Sequence, residues 1–510
     1  MRRLWRFHGG VHLPGHKELS AGRPIASIPE PKRVVLPLQQ HIGASAEPLV
    51  SVGERVDKGQ LIAAPASFVS AAVHASVSGR VVDVGKYPLP HPSAIAETCI
   101  VIESDGEQRW GSASDDADDP EALPVEQVRE RIRSAGIVGL GGAVFPSAAK
   151  LSPPRPIDTL VINGVECEPY ISCDDMLMRE RAHDVVRGAR LLQRVVGAGR
   201  CLIAVEDNKP EAIAALHAAC ADARQEGRSG CADIEVVAVP TVFPAGGEKQ
   251  LIKVLTGREV PTGGLPYEVG AVCLNVATTT AVYDAVYRRR PLVSRVLTVT
   301  GADVGRPGNY EVPLGVSIAE VLKAADAPSR PGYDLVMGGP MMGHVLPDPS
   351  VMVVKGTNCI LVRHAQGASS EPAMPCIRCG SCADACPMRL LPQQLYWHSR
   401  ARNLDKLERY DLSSCIECGC CAVVCPSHIP LVSYFRFAKS EVREREHKRL
   451  RASEARARNE ARQQRLEAIK RDKEARRKQR GGQRGRRGKA APAAAASREA
   501  SGKSTEEAGA

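Results

Sequence analysis

The stretch CIRCGSCADACP at 376–387 is answered by CIECGCCAVVCP at 415–426. Each has the form C-x2-C-x2-C-x3-C-P: Cys376, Cys379, Cys382 and Cys386 before Pro387, then Cys415, Cys418, Cys421 and Cys425 before Pro426. Three thiolates at this spacing wrap one face of a [4Fe–4S] cube, and in paired runs the fourth cysteine crosses to the other cube. Cluster 1 then takes Cys376, Cys379, Cys382 and Cys425, and cluster 2 takes Cys415, Cys418, Cys421 and Cys386. Structural zinc sites draw four ligands in pairs, which a three-plus-one spacing ending in proline does not suit. Cys420, beside Cys421, falls outside the pattern. Two such clusters move single electrons, so the chain must also hold a source for them.

The best candidate source is the glycine-dense stretch IVGLGGAVFPSAAKL at 137–151. It is not a Walker loop, because no Gly-Lys-Ser/Thr follows. Nor does it complete G-x-G-x-x-G, since after Gly139 and Gly141 the third position holds Val144. Its glycines still let backbone N–H groups approach an anionic phosphate closely. Downstream, NGVECEPYISCDD (163–175) follows an apolar run and brings carboxylates to a sheet's carboxyl edge, where α/β proteins bind ligands. FPAGGEKQLIKVLTG (243–257) and VCLNVATTTAV (272–282) add a further glycine turn and a polar strand end. Glu166, Glu168 and Glu248 each adjoin a turn at the end of an expected strand.

The elements that must position these residues follow from hydrophobic periodicity. Short β-rich runs broken by glycine occupy residues 35–85. Within them VSVGERVDKGQLIAA and HASVSGRVVDV resemble the halves of lipoyl- and biotinyl-type barrel-sandwich domains. The expected hairpin tip, Val73 to Val77, lacks the lysine a carrier needs, so the barrel reads as structural. Residues 105–123 are acidic and polar, as in a linker. Apolar runs at 158–164, 201–207, 234–239 and 271–276 then alternate with the helical patterns DMLMRERAHDVVRGARLLQRVV and KPEAIAALHAACADARQ. That alternation predicts a mainly parallel sheet covered on both faces. Strand, turn, strand, helix and strand over 295–345 predict a β-grasp unit, and helices are expected between the cysteine sets.

The fold class is therefore multidomain α/β. Its expected parts are a barrel-sandwich unit with linker (1–120), a Rossmann-like α/β unit carrying the glycine loop (121–294), a β-grasp unit (295–355), a helical two-cluster ferredoxin-type unit (356–440) and a basic tail (441–510) whose Lys/Arg/Glu-rich start is helix-like before it dissolves into a disordered RGGQRGRRGK end. A chain of 510 residues is too long for one core. The hydrophobic share of 43% suits a soluble globular protein, and no window offers the apolar length of a membrane-spanning helix. The start, MRRLWRFHGG, has no apolar core of signal-peptide length, so a cytoplasmic location is expected. There thiols stay reduced, so clustered cysteines mean metal or redox chemistry, and scattered ones such as Cys99, Cys201 and Cys220 pack cores. From Lys439 to Lys489 there are 21 basic and 8 acidic residues, so the net charge of +10 belongs to the tail. Trp5, Phe7 and their basic neighbours leave two readings open: a docking surface or an ordinary terminus.

Together, GLGGAVFPSAAK, NGVECEPY, AGGEKQLI and LNVATT resemble the flavin- and NADH-binding loops of the flavoprotein subunit of respiratory complex I. The order of barrel, flavin domain, β-grasp unit and two-cluster ferredoxin is more specifically similar to the C subunits of Rnf ion-translocating electron transport complexes. The resemblance covers nearly all of residues 1–440 and implies FMN, NADH as substrate and two [4Fe–4S] clusters, in a peripheral subunit on the cytoplasmic side of the inner membrane. It implies membrane subunits and a ferredoxin-like subunit as partners. Carried across, Gly139, Gly141, Gly142, Ala143 and Lys150 match the flavin loop, and Asn163, Asn275 and Thr278 match further FMN contacts. Phe145 matches a ring near the nicotinamide, while Glu166, Glu168 and Glu248 match carboxylates lining the dinucleotide pocket. Val165, Lys249 and Ala277 depart from the complex I pattern in ways that fit the Rnf branch better.

Hydride transfer to a flavin needs no acid–base side chain, so no catalytic residue is assigned. Three rivals share parts of the pattern: a flavin-dependent corrinoid reductase, the quinone reductase subunit of a sodium pump, and a nucleic-acid-binding iron–sulfur protein. The second lacks the ferredoxin cysteines present here. The third rests only on RRKQRGGQRGRRGK, a composition that equally attracts anionic lipid or acidic partners.

Overall fold

The computed structural model describes residues 3–111, 120–225, 234–365 and 372–487. They form two compact units, Met1–Ala438 and Lys439–Ala510. The chain opens with β1 (Ala26–Ser27), β2 (Arg33–Pro37), β3 (Glu47–Pro48), β4 (Arg55–Val56), β5 (Leu61–Ala64), β6 (Val73–His74), β7 (Gly79–Pro88) and β8 (Ala96–Ser104). Strands β2-β8-β7-β4 make one antiparallel sheet and β3-β5-β6 a second. Register sets Val34 and Val81 against Ile102 and Leu36 against Ile100, all fully buried, so cross-strand apolar pairs hold the barrel. The expected tip needs correcting. Residues 73–77 are apolar enough to be buried, and Val73 and His74 form β6, paired with Ala63 and Leu61. The connection between β5 and β6 is instead 65–72, PASFVSAA, which also lacks lysine.

The next part runs α1 (Val125–Ser134), α2 (Ser147–Lys150), β9 (Thr159–Gly164), α3 (Cys173–Glu180), α4 (Ala182–Val196), β10 (Arg200–Glu206), α5 (Pro210–Gln225), β11 (Ile234–Val239), α6 (Glu248–Thr256), β12 (Ala271–Asn275) and α7 (Val276–Tyr287). Its four strands are all parallel, in the order β11-β10-β9-β12. Alternate residues of β9 and β10 serve opposite faces: Leu160, Ile162 and Ile203 join the core with α4 and α5, whereas Val161, Leu202 and Ala204 meet Leu251 and Leu255 of α6. Burial on both sides is why these strands read as unbroken apolar runs. The helical pattern over 175–196 is divided at Arg181, whose backbone (φ −124°, ψ 33°) leaves the helix and whose guanidinium pairs with Glu311 at 2.5 Å. Helix α4 stops at Gly197, whose φ of 67° supplies a left-handed cap.

A six-stranded sheet follows, built from β13 (Ser294–Gly301), β14 (Gly308–Pro313), β15 (Tyr333–Met337), β16 (His344–Val345) and β17 (Cys359–His364), with β1 on its edge and α8 (Ile318–Ala324) between β14 and β15. Strand β17 pairs in parallel with β13 and antiparallel with β15, so the expected boundary at residue 355 cuts this sheet and falls too early. Beyond it lie α9 (Ser381–Asp384), α10 (Pro392–Arg400), α11 (Leu404–Arg409), α12 (Cys420–Val423) and α13 (Leu431–Arg487), with α10 and α11 between the cysteine sets. The Lys/Arg/Glu-rich run beyond residue 440 is helical, as its pattern predicts, but the helix continues to Arg487 into the stretch expected to be disordered, and residues 488–510 lie outside the described residues. Good helix formers and the pairs Glu444–Lys448, Glu454–Arg458 and Asp472–Arg476, four residues apart, favour that helix. Of the expected linker, residues 112–119 also lie outside the described residues, whereas Trp110 has Lys58 and Arg290 within 5.2 and 5.1 Å of its ring centre. Among the described residues no helix is long and apolar enough to cross a membrane.

Candidate functional site

The glycine stretch folds as a tight loop. Gly139 N donates to Phe145 O at 2.8 Å, Val144 N donates to Gly139 O at 3.0 Å, and Ser147 N donates to Ile137 O at 3.0 Å. Leu140 N donates to Thr278 Oγ1 at 2.9 Å, tying the loop to the start of α7. Asn275 caps that helix by accepting from Ala277 N and Thr278 N. A Cβ on Gly141 would stand 3.0 Å from Asn275 Cβ, so the loop rests directly on the cap. Gly141, Gly142 and Ala143 remain exposed, and Gly142 has a φ of 102°, a conformation that favours glycine.

Asn163 and Asn275 stand opposite each other in the β9–β12 register, at the carboxyl edge of the sheet. Chain order switches direction there, because β10 lies on one side of β9 and β12 on the other. Asn163 Nδ2 donates to Gly246 O at 2.9 Å, and its Oδ1 accepts from Val165 N at 3.0 Å. Lys150, at the end of α2, is ion-paired with Glu248, the first residue of α6. The structure thus gathers Gly139–Ala143, Asn163, Asn275, Thr278, Lys150 and Glu248 around one sheet edge. Phe145 closes the loop through its backbone and is half-buried.

The other two carboxylates face inward. Glu166 Oε1 accepts from Asp174 N at 2.8 Å, and Glu166 Oε2 accepts from Lys209 Nζ at 3.1 Å, with Lys17 Nζ at 3.9 Å. Burial works to raise the Glu166 carboxyl, but Lys209 and Lys17 outweigh it and hold it below the usual range. Asp174 accepts from Asn275 Nδ2 at 2.6 Å, and burial, with Glu166 nearby, pushes its carboxyl up to about 6. Glu168 accepts from the amides of Met341 (2.7 Å) and Met342 (3.0 Å), and burial raises it. Sequence reasoning missed Lys17, Lys209 and Asp174. Asp174 lies inside the quoted SCDD, but nothing local marks either lysine.

The eight cysteines line two separate cavities. One is bounded by Cys376, Cys379, Cys382 and Cys425, the other by Cys386, Cys415, Cys418 and Cys421. The crossing follows from an internal repeat: Arg378 and Glu417 (φ 60° and 57°), Gly380 and Gly419 (88° and 85°), and Arg389 and His428 (54° and 50°) turn the backbone alike. Leu390 N and Glu417 N each point at a cysteine sulfur at 3.4 Å, Cys386 and Cys415 respectively. Cys420 lies outside both cavities, fully buried against Phe243, Ala385 and Cys418. That apolar cluster, edged by Cys167 and Met341, joins the second cavity to the 243–247 turn, where Gly246 N donates to Cys167 Sγ at 3.3 Å. The first cavity faces outward, with Cys379 exposed and Ile377 67% exposed. Four thiols per cavity fit a cubane cluster, and exposed glycine amides beside a cationic side chain at the switch point fit a flavin phosphate.

Four family models match this chain: RnfC Barrel sandwich hybrid domain over 5–107, Nuo51 FMN-binding domain over 132–284, SLBB domain over 296–345 and 4Fe-4S dicluster domain over 375–429. The C subunit of the ion-translocating oxidoreductase complex of Pseudomonas aeruginosa is 49% identical over 483 residues, covering 94% of this chain and 61% of that protein. Its counterpart in Salmonella arizonae is 46% identical over 479 residues, covering 93% and 70%. This chain belongs to the family of these C subunits. As a member of that family it is a multidomain α/β protein whose cofactors are FMN and iron–sulfur clusters. It spans 61% and 54% of the P. aeruginosa and Pasteurella multocida proteins. A NAD+-reducing [NiFe]-hydrogenase in the H2-reduced state aligns over 64% of this chain and 65% of its own, with a TM-score of 0.46 and 22% identity.

Proposed function

We propose that this chain is the peripheral electron-input subunit of a membrane-bound ion-translocating complex, exchanging electrons with NADH and relaying them to partner subunits on the cytoplasmic side of the inner membrane. The observation that carries this reading is the chain of contacts from the glycine loop, through Asn275, its register partner Asn163, Gly246 and Cys167, to the apolar cluster around Phe243 and Cys418. FMN supplies exchange between hydride chemistry and single-electron transfer, and the clusters carry single electrons. The 121–294 unit acts as a Rossmann-like flavin domain. In it the exposed amides of Gly141, Gly142 and Ala143, with Lys150, grip the phosphate, Gly139 shapes the loop through its bond to Phe145 O, and Asn163, Asn275 and Thr278 brace the site from beneath through their own hydrogen bonds. Phe145 and Glu248 face the dinucleotide. Glu166 and Glu168 act from behind, because their oxygens already serve Lys209, Asp174 N and the Met341 turn.

Cys386, Cys415, Cys418 and Cys421 hold the proximal cluster. Cys376, Cys379, Cys382 and Cys425 hold the distal one, where exposed Ile377 and Met374 offer an apolar rim for the next carrier. The basic helix beyond Lys439 suits an anionic lipid surface or an acidic partner. Anaerobic purification with flavin, iron and sulfide quantification tests the reading. One FMN and two [4Fe–4S] clusters per chain, all reducible by NADH, is the expected result, whereas protein that retains its clusters but binds neither FMN nor NADH would refute the donor assignment.

A further inference from the structure

Residues 3–17 do not project from the fold; they run along the seam between the sheet edge and the proximal cysteines. Trp5 N donates to Val254 O at 3.0 Å, and the Trp5 ring lies on Gly257, where a Cβ would come within 2.7 Å of it. Leu4 and Phe7 cover the α6 side of the parallel sheet. At the far end Lys17 Nζ donates to the carbonyls of Glu166, Glu168 and Ile171 at 2.5–3.0 Å, and Tyr170 N donates to Gly15 O at 2.7 Å. Between these anchors Gly9 and Gly10 pass through the narrowest point. Gly10 N donates to Ala385 O at 3.0 Å, and Val11 exchanges two backbone hydrogen bonds with Phe243 at 2.8 and 3.0 Å. A Cβ on Gly9 would lie 2.6 Å from Ala385 O and 2.9 Å from the Cys386 carbonyl carbon, and one on Gly10 would lie 2.9 Å from Phe243 O. Both glycines also have positive φ, 68° and 89°. One backbone therefore binds the turn before the flavin-side glycines on one side and a cluster ligand's neighbour on the other.

We propose that this N-terminal strap sets the approach of the Cys386–Cys418 cavity to the flavin loop, and that Gly9 and Gly10 are positioning residues for electron transfer between the two cofactors. The inference rests on the reading above, in which single electrons pass from reduced flavin to the oxidised proximal cluster and the dinucleotide is the reductant. Any side chain at position 9 or 10 meets rigid backbone, so the seam must open. Electron transfer between fixed cofactors slows as their separation grows, so an opened seam slows the flavin-to-cluster step.

The test uses full-length Gly9→Ala and Gly10→Ala proteins loaded with both cofactors, with Gly22→Ala as control because nothing lies within 4 Å of a Cβ there. Stopped-flow mixing with NADH follows flavin and cluster absorbance separately, and hydrogen exchange follows the Val11 and Phe243 amides. The expected result is unchanged flavin reduction, cluster reduction slowed several-fold, and lost protection at both amides, with Gly22→Ala like wild type. Wild-type cluster rates in both variants would overturn the proposal, as would flavin and cluster rates falling together, which marks a general stability element. Should Gly9→Ala lose iron, Trp5→Ala loosens the strap at its remote end, and unchanged cluster reduction in that variant overturns the proposal too. Failure of NADH to reduce the wild-type flavin would remove the underlying reading instead; amide exchange alone would then decide whether the glycines hold the seam.

Discussion

Lys209→Met is the perturbation whose size the structure sets most firmly. Lys209 is buried between Glu166 at 3.1 Å and Glu206 at 3.3 Å, both buried carboxylates. Burial alone would lower the lysine, but the two carboxylates overcome it and raise it. Methionine keeps most of the apolar stem and deletes the charge. Glu166 retains Lys17 at 3.9 Å and the Asp174 amide, whereas among the described residues both Glu206 oxygens have no hydrogen bond to fall back on. Breaking a buried pair by removing one partner costs about 3–5 kcal/mol, a large part of the roughly 5–15 kcal/mol that holds a domain folded. In the wild type the depressed Glu166 contributes stability above the unfolded carboxyl value near ~4.3 and loses it as pH falls through the folded value. In the variant Glu166 loses the stronger of the two ammonium groups that hold its carboxyl down, so the cost of its burial is felt at high pH and relieved by protonation as pH falls. Denaturant unfolding of both proteins should therefore show a deficit of about 3–5 kcal/mol at pH 8 that shrinks towards pH 5. Adding Glu206→Leu should recover on the order of 1–3 kcal/mol, since an apolar replacement of a buried pair is often neutral or better. A deficit below about 1 kcal/mol, or one independent of pH, would refute the reasoning.

Gly141→Val drives a side chain into Asn275 and should weaken flavin retention by about tenfold or more, the effect of 1–3 kcal/mol of overpacking, while iron content is unchanged; the flavin-to-protein ratio after gel filtration reports it. Cys425→Ser should alter the same paramagnetic cluster signal as Cys376→Ser and leave the one altered by Cys415→Ser, because the fourth ligand crosses between sets. Lys355 is buried, donating to the carbonyls of Ala72 and Gly136 at 2.7 Å, and burial pushes its ammonium down to about 7. An unfolded lysine titrates near ~10.4, so between pH 7 and that value the unfolded chain binds more protons and stability rises with pH. Thermal scans at neutral and alkaline pH should show that slope in the wild type and its loss in Lys355→Met.

What the sequence made legible was local. Strands β9 to β12 lie within a residue or so of the apolar runs at 158–164, 201–207, 234–239 and 271–276, because a strand buried on both faces must be apolar throughout. The cysteine spacing placed eight ligands because a cubane imposes it. Contacts between distant segments left no such trace. Lys17 reaches the Glu166 carbonyl across 149 residues, and Lys355 joins Ala72 to Gly136 across 283 and 219. Glu166 and Glu168 looked like pocket residues because they end a strand beside a turn. Only the fold shows that their carboxylates are already taken by Lys209 and the Met341 turn. The barrel tip was misplaced because VHASV is an apolar run that a two-layer barrel draws inside, and the helix-like run beyond residue 440 extends to Arg487, past the point where its Gly- and Arg-rich composition suggested it would dissolve.

The most direct test of the relay is rapid mixing of anaerobic holoprotein with one equivalent of NADH, following flavin and iron–sulfur absorbance on one time axis. Flavin bleaching should come first, and cluster bleaching should follow it at a rate independent of NADH concentration. Clusters that bleach without the flavin, or a flavin that bleaches while the clusters stay oxidised, would contradict the wiring drawn from the apolar cluster that holds Phe243 and Cys418.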